Sequence, residues 1–213
     1  MAAREGRLNG FRLYGVALLS RGNGAALPGT KGVSVLRFRD LGALVQQSPY
    51  TRAACSPGDL ESHRTVVDAA FARGTVLPAP CGTLFRGSEQ VRHWLERNYI
   101  ALNEGLHFVA GRCEARVYVS RSADEAVSLD ESKAATDAAV ECFRLLGRGA
   151  VATLSMPPRV APPVLGHAYL IEQDRWSEFS DQVREQALRC VELAFQQTGP
   201  WPPYDFVRMD FRA

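Results

Sequence analysis

The sequence predicts an α+β protein of two domains, the second with the strand–helix–strand–strand–helix–strand order of a ferredoxin-like (βαββαβ) sandwich. Three observations carry this expectation. Apolar residues alternate with period two from Arg112 to Ser120, as in a half-buried strand. In the segments before and after it they recur at spacings of three and four, as in amphipathic helices. Two apolar runs, Ala150–Ser155 and Val164–Glu172, are split by a proline-rich stretch and read as a wide hairpin.

Taken in order, residues 11–19 read as a strand, the Gly/Pro stretch from Arg21 to Gly32 as a loop with a turn at Gly22-Asn-Gly24, and Val33–Phe38 and Ala43–Gln46 as two further strands. Ser56 is placed to cap a helix running to about Arg73, with Pro57 at its first position and Asp59 in its first turn, where negative charge favours the helix dipole. Val76–Phe85 is held extended by its prolines. Ser88 is expected to cap one longer helix whose buried face carries Val91, Leu95, Tyr99, Leu102, Leu106 and Val109.

The strand from Arg112 places Cys113, Ala115, Val117 and Val119 on one face and Glu114, Arg116, Tyr118 and Ser120 on the other. A helix over about 130–146 follows, with Ala134, Ala138, Cys142 and Leu145 inward and Gly147 as its stop. After the hairpin, Asp174 opens a last helix with Trp176, Phe179, Val183, Ala187, Cys190 and Ala194 in one stripe, broadened by Leu188, Val191 and Phe195. Gly199 is expected to end it, and Asp205–Phe211 to form the closing strand. With Gly111 as the boundary, the expected domains are 1–110, an N-terminal α+β domain, and 111–213, the ferredoxin-like domain.

At 46% hydrophobic and 23% charged residues, the composition is that of a globular chain and excludes a disordered or fibrous one. Lys and Arg (25) nearly balance Asp and Glu (23), so no basic footprint for nucleic acid is present, and the arginines from Arg144 to Arg148 read as a solvated helix end. The apolar stretch Leu13–Leu19 behind Arg4 and Arg7 imitates a secretory signal, but it is short and has no small-residue cleavage pattern. No apolar run approaches the about 20 residues that span a bilayer, so membrane insertion is not expected and a cytoplasmic location is.

The five cysteines are an odd number, widely spaced, without a Cys-x-x-Cys pair. They read as reduced thiols, with Cys113, Cys142 and Cys190 acting as small hydrophobes. His93, His107 and His167 lack metal-ligand spacing, no Gly-rich loop suits a phosphate, and the carboxylate pairs Asp124-Glu125 and Asp130-Glu131 sit where helix capping explains them.

The least ordinary stretch is Gly199-Pro200-Trp201-Pro202-Pro203-Tyr204-Asp205-Phe206. Three prolines stiffen its backbone, so Trp201 and Tyr204 are presented in nearly fixed directions, as a preformed aromatic surface for a partner. The plainer alternative is a buried plug, with Trp201 packed over the helix end. His63, on the apolar face of its helix, reads as a core residue hydrogen-bonded to a backbone carbonyl; the sharper alternative is that it activates Cys81 as a nucleophile.

The segment GPWPPYDF resembles the C-terminal signature of the GvpF/GvpL gas vesicle protein family. The opening Tyr14-Gly15-Val16 strand, His63 together with Val76-Leu77-Pro78 and Gly82-Thr83-Leu84-Phe85, and Gly111–Val119 agree with that family in order and spacing. The chain departs from the pattern in carrying Cys81 where an aromatic residue is common before Gly82, and in a short central region. The resemblance implies a ferredoxin-like C-terminal domain, no cofactor, no catalysis, and an accessory role with the small hydrophobic shell protein GvpA and other Gvp proteins. Two rival functions rest on other grounds: a small-molecule-sensing module, by analogy of fold, and a thiol enzyme using Cys81 with His63.

Overall fold

The computed structural model describes residues 10–19, 30–50, 55–121, 129–159, 164–207 and 209. Most of the loop from Arg21, the Asp124-Glu125 pair, the side chains of Asp130 and Glu131, the end of the proline-rich stretch at 160–163 and the last part of the expected closing strand lie outside them. The chain divides into two compact units, Gly111–Phe206 and the remainder, so that Val207 groups with the first unit.

In the first unit, β1 (Gly10–Leu18) lies inside a sheet with β2 (Val33–Phe38), β3 (Leu41–Ser48), β4 (Val76–Pro78) and β5 (Leu84–Phe85). The order is β2-β3-β1-β4, with β5 also on β1, and the pairs are antiparallel. The helix α1 (Pro57–Phe71) begins as its residues dictate: Ser56 Oγ accepts the Asp59 N–H at 3.1 Å, and Asp59 accepts the Ser56 N–H at 3.2 Å. Hydrogen bonding by Ser56, then by the Arg12 guanidinium at 2.5 Å, holds the Asp59 carboxyl down at about 2.

The helix expected from Ser88 to Val109 is two, α2 (Ser88–Arg97) and α3 (Tyr99–Val109). Asn98 divides them, its side-chain amide donating to the Trp94 carbonyl at 2.8 Å in competition with the helical ladder. Ser88 is not the cap. Gly87 occupies that position without a side-chain bond, and Gln90 Oε1 instead accepts the Arg86 N–H at 2.7 Å. The apolar face survives the break, with Val91, Leu95, Leu102, Leu106 and Val109 all buried.

The second unit runs β6 (Arg112–Arg121), α4 (Leu129–Leu146), β7 (Ala152–Arg159), β8 (Val164–Glu172), α5 (Trp176–Arg189) and β9 (Leu193–Trp201). Its sheet is antiparallel in the order β7-β8-β6-β9, the connectivity of a ferredoxin-like sandwich. Phe143 from α4 and Phe179 from α5 pack with His167 and Tyr169 of β8, whose neighbours in register on β6 are Val117 and Ala115. The α4 face is turned by one position from the expected one: Ala139, Cys142, Phe143 and Leu146 are buried, while Ala134 is exposed.

Two expectations fail here. The last helix stops at Arg189, so Ala194 and Phe195 belong to a strand, and Leu188 and Val191 are 80% and 77% exposed. The closing strand is Leu193–Trp201, paired with β6, and Tyr204–Phe206 form a turn in place of the strand placed there.

Not all cysteines are free. Cys55 and Cys81 are joined by a disulfide with a Cα–Cα distance of 5.9 Å, which fastens the start of α1 to the turn between β4 and β5. The pair was invisible to spacing because 26 positions separate its members. A cross-link of that span restricts the unfolded chain by on the order of 3 kcal/mol. Cys81→Ser is therefore expected to lower the thermal melting midpoint of the first unit by several degrees in a circular-dichroism melt; an unchanged midpoint would mean the bond contributes no stability.

Candidate functional site

The aromatic corner grows out of the meeting of β9 with β6. β9 runs antiparallel to β6 until its last residue, Trp201, lies opposite Glu114 across a bulge between Glu114 and Arg116. Just before, Gly199 adopts φ +126°, a backbone conformation side chains rarely tolerate, and its peptide to Pro200 is cis. A Cβ at Gly199 would sit 2.8 Å from both the Glu114 carbonyl oxygen and the ring of Trp176, so glycine is required twice over. Trp176, the first residue of α5, thus lies against Gly199, and the chain reaches Trp201 along β9 and not directly from a helix end.

Trp201 is half-buried, with its indole N–H donating to Thr198 Oγ1 at 3.1 Å. Pro202 and Pro203 are buried, Pro200 is exposed, and Tyr204 is half-buried with its N–H donating to the Pro202 carbonyl at 2.7 Å. Two of the three prolines are buried and the two large aromatics remain partly open, as a presented surface requires.

What fastens the corner was missed in the sequence. Glu114, on the opposite face of the strand from Cys113 and Ala115, is nonetheless 0% exposed. Its Oε2 accepts the Asp205 N–H at 2.9 Å, and its Oε1 accepts from Arg116 Nε at 2.5 Å. The Arg116 guanidinium also lies 3.1 Å from Asp205 Oδ2, an ion pair without hydrogen-bond alignment. One buried carboxylate therefore ties the residue after Tyr204 to the central strand. Burial pushes the Glu114 carboxyl up to about 7, against the pull of Arg116 and of the Asp205 N–H. The available signal was positional: Arg116 is the opposite charge two residues along on the same face of the strand.

His63 and Gly82 belong to the first unit, the corner to the second. His63 is buried on α1 beside Tyr14, ring centroids 5.3 Å apart. Burial lowers its pKa, opposed by an interaction with the Ala79 backbone that agrees with the expected bond to a carbonyl, although neither ring nitrogen meets strict hydrogen-bond geometry among the described residues. Gly82 has φ +87° in the turn after Cys81. The sulfur of Cys81 is bonded to Cys55, so no thiol stands there for His63 to activate, and the thiol-enzyme alternative fails.

Among the described residues no group of three or more His, Cys, Asp or Glu is placed to hold a metal ion, and no helix is long and apolar enough to cross a membrane. A 340 Å³ cavity at the ends of α4 and α5 has a mixed wall, with Leu145 and Leu146 beside Arg148, Gly149, Arg175, Gln182, Gln186 and Arg189, and Arg175 is bound bidentately to Glu178. That is unlike the mostly apolar pockets that hold small ligands.

The fold is that of solved gas vesicle proteins. The structure of GvpF from Anabaena sp. superposes with a TM-score of 0.79 at 20% identity, covering 95% of this chain and 99% of that one. GvpF from Microcystis aeruginosa gives 0.77 at 17% identity, covering 94% and 100%. The sequence is 27% identical over 173 residues to gas vesicle protein F2 of Halobacterium salinarum, covering 80% of this chain and 77% of the relative. It is 27% identical over 185 residues to gas vesicle protein F of Haloferax mediterranei, covering 84% and 83%. Residues 10–137 and 120–208 match the gas vesicle synthesis protein GvpL/GvpF family. The chain belongs to that family, and its role lies in gas vesicle formation.

Proposed function

We propose that the chain is a non-catalytic accessory protein of gas vesicle assembly that binds the small hydrophobic shell protein GvpA, acts with other Gvp proteins, and keeps GvpA from aggregating until it is incorporated. Its place of action is then the cytoplasm, at the gas vesicle. The observation that carries this reading is the corner: Trp201 and Tyr204 stand half-buried on a backbone braced by Pro200, Pro202 and Pro203 and tied to buried Glu114. Rigid aromatic anchors lose little conformational freedom on binding, so more of their contact energy appears as affinity.

Sheet edges supply a second kind of contact. β2 and β7 are edge strands, and Leu154 of β7 and the adjoining Val151 are 37% and 43% exposed. A shell protein with one apolar face aggregates when that face meets water, and a partner that covers it or pairs with an open strand suppresses this.

Co-expression of the chain with GvpA tests the proposal. Soluble GvpA is expected to rise and to co-purify with the chain, whereas no change in either result would refute it. Trp201→Ala and Tyr204→Ala, each checked for an unchanged melt, are expected to weaken capture by about 2 kcal/mol, roughly thirty-fold in Kd.

A further inference from the structure

We propose that Cys142 and Cys190 are a site of reversible oxidation, closing to a second disulfide by exchange with a small-molecule disulfide of the glutathione type. Their sulfurs are 3.5 Å apart, in contact but unbonded, although 48 positions separate them in the chain. Cys142 is buried on the inner face of α4 with Ala139, Phe143 and Leu146. Cys190 is half-exposed and ends α5: its N–H donates to the Gln186 carbonyl at 3.0 Å, and its own carbonyl accepts the N–H of Leu193, where β9 begins, at 2.9 Å.

The two thiols differ in what they can do. Burial, then the neighbouring Cys190 thiol, raises the pKa of Cys142, which stays protonated and out of reach of solutes. Cys190 is the accessible partner. Its position also favours the small approach that bonding needs, because it stands at a helix terminus between the solvent-exposed Leu188 and Val191, where the last turn is free to adjust.

The chemistry balances in two steps. The Cys190 thiolate attacks one sulfur of the small disulfide, forming a mixed disulfide and releasing one small thiolate, which takes up a proton. Cys142 then attacks the Cys190 sulfur as its proton passes to the second small thiolate, which departs as a thiol. Two protein thiols are oxidised to one disulfide, and one small disulfide is reduced to two thiols. The product fastens α4 to the turn that leads into β9, and so to the strand that carries the aromatic corner. This goes beyond the assembly role and does not depend on it.

The test is equilibration of the full chain with oxidised glutathione, acid trapping, and alkylation under denaturing conditions with peptide mapping. Cys55–Cys81 serves as the internal reference. The expected result is a fall in alkylatable thiols from three, Cys113, Cys142 and Cys190, to Cys113 alone. A linked Cys142–Cys190 peptide, slower proteolysis around Leu188–Val191, and reversal by added reduced glutathione are expected with it. Cys142→Ser is expected to halt at a stable glutathione adduct on Cys190. Should that buried substitution fail to fold, Cys190→Ser is expected to leave Cys142 unmodified. Three thiols remaining after treatment, or a wild-type Cys190 adduct that persists unresolved, would overturn the proposal.

Discussion

Gly199→Ala is expected to lower the melting temperature by roughly 10 °C, the largest effect of any small substitution in the second unit. Two costs add. A non-glycine residue at φ +126° is strained by on the order of 1–3 kcal/mol, and its Cβ would lie 2.8 Å from the Glu114 carbonyl oxygen and from the Trp176 ring. The carbonyl belongs to the central strand and cannot retreat without disturbing its pairing with β8 and β9. Differential scanning calorimetry reads the shift directly. A loss within 2 °C would mean that the corner relaxes freely and is not the rigid element described above.

The second large effect is a pH dependence that resides in Glu114. Its folded pKa, about 7, is raised above the ordinary 4.5, so the folded chain holds this proton more tightly than the unfolded chain does. The resulting stability is fully present below about pH 4.5 and is lost as pH rises through about 7, by on the order of 3 kcal/mol. Glu114→Gln removes this dependence. The difference in unfolding free energy between wild type and Glu114→Gln, followed by urea titration, is therefore expected to move against wild type between pH 4.5 and 7 and to level off above. Comparing the two proteins cancels His63, whose lowered pKa makes stability fall as pH drops below 6.5. A difference that stays flat across the window would disprove the assignment. Glu114→Ala is a harsher case at neutral pH, because it strips Arg116 of its buried partner and the Asp205 N–H of its acceptor.

Local signals with a single cause were legible in the sequence. The Ser56–Asp59 cap formed as its residues dictate, and the period-two run from Arg112 became β6. What escaped reading was decided by distant partners. From Cys190 to Gly199 nothing breaks a helix, and apolar residues satisfy both helical and strand spacing, so the helical stripe reads on to Ala194; the chain turns at Cys190 because β6 has an edge for Leu193–Trp201 to pair with. Leu188 and Val191 misled further, being apolar yet exposed. The disulfide between Cys55 and Cys81 depends on β4 and β5 returning to the start of α1, a long-range fact that spacing does not carry. In the corner, Trp201 and Tyr204 stood out by composition, but their anchor did not, because an alternating strand hides which of its polar residues will be buried by neighbours on both sides.

A photo-reactive amino acid at position 204, in the full chain co-expressed with GvpA, interrogates the corner's role without removing its anchor. A covalent GvpA adduct formed from position 204 and absent from exposed position 188 is the result predicted here. Adducts from position 188 alone, or from neither, would contradict it.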